Sequence, residues 1–195
     1  MPEDIDRQLI EATYARVRAV GVRRTNLAEL AAALRISKKT IYRYFPTKEA
    51  LLQRMLHWYQ RQVAAEHRRY RQAPTAPDEL RQLLQWFQAQ HLALAPGFMT
   101  ALHREAPALY ESWQRYQATR LVPLIERNLR RGQAEGAYRV LDAPVLSRWY
   151  LANLALLLHD QLAPGIALAR QHQALADLFL RGILRQAWAP IQPGS

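Results

Sequence analysis

The chain has 195 residues, no cysteine, and 27 Lys or Arg against 16 Asp or Glu, a formal net charge of +11. The missing cysteines exclude disulfides, thiolate catalysis and cysteine-held metals. Half the residues are hydrophobic, the balance of a globular chain with one or two cores, and the abundance of Ala, Leu, Gln and Arg over β-branched residues points to helices throughout.

The opening Met-Pro-Glu-Asp lacks the basic and then apolar regions of a signal peptide, and a cytoplasmic protein is expected. Residues 4–20 read as a first helix with Leu9, Ile10, Tyr14 and Val17 on one face, stopped at Gly21 as a left-handed residue can stop one. A second short helix follows: Leu27, Leu30, Ala31 and Leu34 repeat at helical spacing, Asn26 stands at its cap, and Glu29 falls where a capping box wants its carboxylate. Ser37 caps a third helix that turns Ile41 and Phe45 inward and Lys38, Lys39, Thr40, Tyr42 and Arg43 outward. Thr47 caps a fourth helix beginning Lys48-Glu49. No acidic residue occurs from Leu30 through Lys48, whereas Arg35, Lys38, Lys39, Arg43 and Lys48 all do. A solvated face normally mixes signs, so this one faces a polyanion: two short helices about a break form a helix-turn-helix for the major groove.

The residues Gly21, Thr25-Asn26-Leu27-Ala28-Glu29-Leu30-Ala31 and, above all, the run from Ile36 to Leu51 resemble the DNA-binding domain of the TetR family of transcriptional regulators. The resemblance implies a head at 1–47 and, from 48 to 195, a helical body that binds a small effector and dimerises. Lys39, Thr40 and Arg43 are expected at base edges; Ser37, Lys38, Tyr42, Tyr44 and Lys48 suit phosphate oxygens, although Tyr42 or Tyr44 could instead pack. Thr25 and Asn26 complete the expected DNA contacts. Three departures stand out: Arg35 fills the turn position where a glycine is usual, Lys39 a place often held by a small residue or proline, and Arg16-Val17 that of a large apolar pair.

Net charge follows the same division. Residues 1–71 carry 15 Lys or Arg against 7 Asp or Glu, and residues 72–195 carry 12 against 9, so the surplus accompanies the helix-turn-helix as an electrostatic footprint.

The fourth helix runs from Lys48 to about Tyr70, with Leu51, Leu52, Met55, Leu56 and Tyr59 inward. Residues 73–77, Ala-Pro-Thr-Ala-Pro, read as a linker, after which Asp78 caps a helix that stops at Pro96-Gly97. A short helix spans 98–104. Pro107 opens a longer one reaching about Arg131, kinked at Pro123 and closed by Gly132 and Gly136. The last helices are expected at 144–160 and 168–188, followed by a frayed tail at 190–195.

The aromatic middle region supplies the expected effector pocket: Trp86, Phe87, His91, Phe98, Met99, His103, Tyr110, Trp113, Tyr116 and Gln117. The same residues could equally form an ordinary aromatic core. The helix at 144–160 is apolar nearly all round and must be covered on more than one face. Leu146, Trp149, Tyr150, Asn153 and Leu157, with Leu178, Phe179, Gly182 and Ile183 of the last helix, are therefore expected in a four-helix homodimer interface, Gly182 permitting close approach. The six histidines show no metal spacing. There is no nucleophile elbow, phosphate loop or paired-carboxylate motif, so no catalysis, metal or cofactor is expected. The longest apolar stretch, Trp149 to Leu158, is too short to span a membrane.

The reading is an all-α regulator, by default a repressor, that binds a palindromic operator on double-stranded DNA as a homodimer and leaves it when a small molecule binds. Two alternatives stand beside it: a helix-turn-helix protein without a small effector, and a basic helical protein-interaction module.

Overall fold

Five side chains divide the chain into its helices by accepting a first-turn backbone N–H: Asn26 from Ala28, Ser37 from Thr40, Thr47 from Ala50, Thr75 from Asp78 and Asp142 from Val145. Each such cap contributes about 1 kcal/mol. In a computed structural model, which describes residues 2–94, 97–159 and 165–185, the elements are α1 (Pro2–Arg24), α2 (Leu27–Ala33), α3 (Lys38–Tyr44), α4 (Lys48–Tyr70), α5 (Ala76–Leu92), α6 (Phe98–Glu105), α7 (Pro107–Tyr116), a π-helical segment (Gln117–Leu121), α8 (Val122–Ala134), α9 (Ala143–Leu158) and α10 (Leu168–Ile183). No strand occurs among the described residues; the link after α8 makes only an isolated bridge, with Arg139 N–H on the Ile183 carbonyl and Arg185 N–H on that of Ala137, both at 2.9 Å.

Several local expectations need correcting. Helical structure resumes after Gly21, whose φ of 83° and ψ of 171° bend α1 in a region essentially reserved for glycine. Thr75, not Asp78, caps α5, so the proline-rich linker is shorter than expected. Glu29 makes no capping box; its carboxylate pairs with Arg16, which ties α2 to α1 beside the buried Val17. Proline 123 produces a widened turn rather than a plain kink: the Val122 N–H reaches back five residues to the Gln117 carbonyl, placing the N–H-less proline where the helical register is already broken. The expected stop at Pro96, the residues beyond 159 and 185 assigned to the last two helices, and the tail lie outside the described residues.

Helix α1 packs on both α4 and α6, α8 on α5 and α9, and α10 on α5 and α9. The core therefore runs without interruption from Leu9, Val17 and Ile41 through Leu51, Leu80 and Leu83 to Ile125, Tyr150 and Ile183. Where α4, α5 and α8 meet, Glu79 is buried and takes Arg131 at 3.1 Å, His67 at 3.5 Å and Arg127 at 3.9 Å. Burial works to raise its pKa, but the neighbouring His67, Asn128 and Arg131 side chains together hold it below the usual glutamate value. Close by, a Cβ on Gly132 would stand 2.0 Å from the Tyr138 ring, so only glycine lets that ring lie on α8. From there the Tyr138 hydroxyl donates to Asn128 at 3.2 Å.

Candidate nucleic-acid interface and enclosed cavity

Burying Ile41 and Phe45 fixes the roll of α3, and that roll leaves Lys38, Lys39, Tyr42 and Arg43 exposed. Ser37 accepts the Thr40 N–H at 3.0 Å while its hydroxyl meets that of Thr40 at 2.9 Å, so the half-exposed Thr40 also helps secure the helix start. Tyr42 is half exposed, and the half-buried Tyr44 lies under the Arg43 guanidinium at 5.4 Å. The turn before α3 is a Schellman motif: Ile36 N–H bonds the Ala31 carbonyl at 2.9 Å and Arg35 N–H that of Ala32 at 3.1 Å. Arg35 holds φ at 55° there, so the fold accepts left-handed strain at this position instead of using a different turn.

Two expected contacts take other roles. Thr25 is buried, and its hydroxyl donates to the Gly21 carbonyl at 2.8 Å, so it secures the link between α1 and α2 while still bordering the recess at the head. Lys48 is half buried and donates to the Val22 carbonyl at 2.9 Å, joining the start of α4 to the end of α1. Asn26 stays exposed with its amide oxygen used as the α2 cap. Arg23 and Arg24, passed over in the sequence, are exposed at the end of α1 and line a shallow recess together with Thr25, Asn26, Lys38, Tyr42 and Lys48. Their adjacency right after Gly21 was the available signal, since a helix end beside the helix-turn-helix shares its charged face.

Behind the head lies a narrow apolar cavity of about 70 Å³. Its walls are Tyr14, Val17 and Arg18 of α1; Met55, Leu56 and Tyr59 of α4; Gln90 and His91 of α5, with Leu94; Phe98, Met99 and Leu102 of α6; Leu109 and Trp113 of α7; and Leu158 of α9. Four of the expected residues, His91, Phe98, Met99 and Trp113, do line it. The others do not. Trp86 stands behind Tyr59, Phe87 beside His91, and Tyr116 stacks on Trp113 while donating to the Gln60 carbonyl at 3.1 Å. His103 and Tyr110 stack at 4.6 Å in a separate cluster with His159, and Gln117 begins the π segment. Sequence periodicity assigns a face to each helix, but the break at Ala106–Pro107 and the π turn decide which of those faces points inward.

The cavity's polar atoms are few. Arg18 lies 5.0 Å above the Tyr14 ring and reaches the Gln90 carbonyl at 3.4 Å. His91 shares one hydrogen bond with His172 of α10 at 3.3 Å. Burial, and secondarily its neighbour, lowers His91 to about 3, and burial lowers His172 to about 4, so both imidazoles are neutral. The Trp113 indole N–H is buried and, among the described residues, has no hydrogen-bond partner, leaving one unused donor in an apolar wall.

Residues 9–55 match the family model described as bacterial regulatory proteins, tetR family. The head is a TetR-family DNA-binding domain. Solved structures share the fold along nearly the whole chain. A TetR-family transcriptional regulator from Agrobacterium tumefaciens has a TM-score of 0.77 at 15% identity, covering 94% of this chain and 100% of its own. A protein from Saccharomonospora viridis in complex with choline has 0.73 at 19%, with the same coverage, and the fatty acid degradation regulator FadR from Bacillus halodurans has 0.70 at 18%, covering 91% and 95%. At these identities the likeness is one of fold. No curated protein matches the sequence. TetR-family regulators are DNA-binding transcription factors, not enzymes. Among the described residues no helix is long and apolar enough to cross a membrane.

The rear of the body carries a bare apolar stripe. Val145, Trp149 and Leu156 on α9 and Leu178 on α10 are 58%, 44%, 40% and 63% exposed, beside Gly182, where nothing lies within 4 Å of an added Cβ. Of the residues expected in the interface, Trp149, Leu178 and Gly182 are exposed on this side, while Asn153 is half buried and donates back to the Trp149 carbonyl. Tyr150, Leu157, Phe179 and Ile183 are instead buried in the protomer's own core, Tyr150 packing on Phe179 at 4.5 Å, and Leu146 packs half buried against that core. Val145 and Leu156 are exposed there too, beyond the residues expected from the sequence. The apolar excess of α9 thus divides into an inner face covered by α8 and α10 and an outer one that is not.

Proposed function

We propose that the protein is a ligand-responsive repressor whose homodimer binds a palindromic operator and leaves it when a small molecule binds the body. The observation that carries the DNA half is α3: a serine-capped helix with Lys38, Lys39, Tyr42 and Arg43 exposed and no carboxylate on it. Lys39 and Arg43 donate to base edges, Arg to guanine O6 and N7, while Lys38, Tyr42, Arg23 and Arg24 grip phosphates. Lys48 acts from behind by fixing the angle between α1 and α4.

The effector half rests on the cavity. At about 70 Å³ it is well below the roughly 300–1,000 Å³ of sites that hold drug-sized ligands, so this conformation is the closed one. A mostly apolar molecule with one acceptor for the Trp113 N–H would have to part α1 from α4 and α6 to enter. Because α1 belongs to the head, that parting moves the recognition helix, and a ligand that favours the parted state draws the population off the operator. A neighbour of the same fold in complex with choline supports a body of this kind holding a small molecule.

The test is fluorescence anisotropy on DNA footprinted beside the protein's own gene. Arg43→Ala is expected to weaken specific binding by about 1–3 kcal/mol and relax base preference, while Lys38→Ala weakens all sequences alike and lowers the salt slope by about 1. Equal losses from both variants on specific and random DNA would overturn the roles assigned here.

A further inference from the structure

The positive charge credited to the head by residue number is only half there. Residues 1–47 hold nine Lys or Arg against five Asp or Glu, and residues 48–71 hold six against two. Four charges of the surplus of eight therefore ride on α4 and the residue after it. Along α4, Arg61 and Arg68 stand about 20 and 30 Å from Lys48 at 1.5 Å per residue, away from the recognition helix.

These two side chains meet Arg120 and Arg127 across a groove of about 610 Å³ between α4 and the π segment with the start of α8. His57 and His67 also line it, and no carboxylate does. Among the described residues Arg61, Arg68 and Arg120 have no acidic partner within 4 Å, and Arg127 reaches only Glu79, at 3.9 Å, on the buried side. Arg127 instead points at the His67 imidazole at 3.0 Å, and burial together with nearby Arg71 makes its own charge costly. Like charges crowded in one concavity repel, and an anion between them removes that repulsion while filling guanidinium forks that suit phosphoryl oxygens in pairs. Tyr116, Leu121, Pro123 and Leu124 form the apolar side of the groove. A π segment within otherwise α-helical chain is a frequent mark of such a site.

We propose that the groove between α4 and the π segment is a second binding site, taking a small molecule with two or more phosphoryl groups and an apolar portion. Its four guanidinium groups hold the phosphoryl oxygens, and Tyr116 and Leu124 receive the remainder. The volume is of ligand dimensions, and unlike the recess at the head, which Glu29 also lines, this groove has no carboxylate in its wall. The site stands independently of the narrow cavity and of the operator reading.

Calorimetric titration of the full chain with sodium pyrophosphate, at ionic strength matched with sodium chloride, tests it. Wild type is expected to bind one equivalent. Arg61→Gln/Arg120→Gln, which alters exposed side chains only, is expected to bind about a hundredfold more weakly or worse, as the loss of two charge-assisted bonds requires. Arg7→Gln/Arg130→Gln removes the same charge elsewhere and is expected to bind as wild type does. Absence of binding by wild type, or an equal loss in both double variants, overturns the proposal, the latter because only net charge would then be at work.

Discussion

His91 and His172 contribute to the pH behaviour of the body. Each is neutral in the fold, with its pKa lowered to about 3 and about 4, whereas an unfolded imidazole takes a proton near pH 6.5. Below that value the unfolded chain binds protons that the folded chain refuses, so stability is full above about pH 6.5 and falls as pH drops towards 4. The expected loss is on the order of 1–2 kcal/mol per histidine between pH 6.5 and 5. Urea midpoints measured across that range should show a shallower slope in His91→Phe/His172→Leu; an unchanged slope would assign the pH response to other groups. The pairing itself was not legible in the sequence, because it joins residues 81 positions apart. Ser37, Thr47 and Arg35 were legible, since a cap acts on a backbone group three residues away and a left-handed turn on its immediate neighbours. The burial of Thr25 was not legible either: its hydroxyl reads as a free donor in the sequence, and only packing turns it onto the Gly21 carbonyl.

At the scale of elements, the helices were readable wherever caps and prolines punctuate them, and which faces pack together was not. Val17, Leu56 and Leu109 carry no local sign that they will surround one void, and His103 and Tyr110 carry none that they will turn away from it. Proline 123 announced a disturbance in the helix, but its form depended on packing: Leu121, Val122, Leu124 and Ile125 are all buried, and the widened turn keeps them so. Gly132 is the element-scale position with the clearest consequence. Gly132→Ala would press a methyl into the Tyr138 ring, displacing it from Asn128 and loosening α8 where it meets α5. A destabilisation of about 1–3 kcal/mol is expected, and Gly132→Ala/Tyr138→Ala should recover the overpacking part of it. Thermal melts of the single and double variants decide; if the single variant melts as wild type does, the ring was never confined.

For the whole molecule, the outer stripe of α9 and α10 is the surface on which the proposed dimer depends. Trp149→Glu/Leu178→Glu is expected to shift the protein from dimer to monomer in sedimentation while preserving its helical circular dichroism, since both side chains stand clear of the protomer core. Operator affinity would fall steeply with it, because one head alone reads one half-site; a dimer that persists would place the interface elsewhere. The cavity has a different consequence. Three of its lining side chains come from α1, so the chain cannot be cut into a reader and a sensor that each work in isolation. A fragment beginning at Lys48 would lack the roof over Met55, Leu56 and Tyr59, leaving greasy flanks of α4 and α6 open to water. It should clump, and it should fail to retain any small molecule that the intact chain captures.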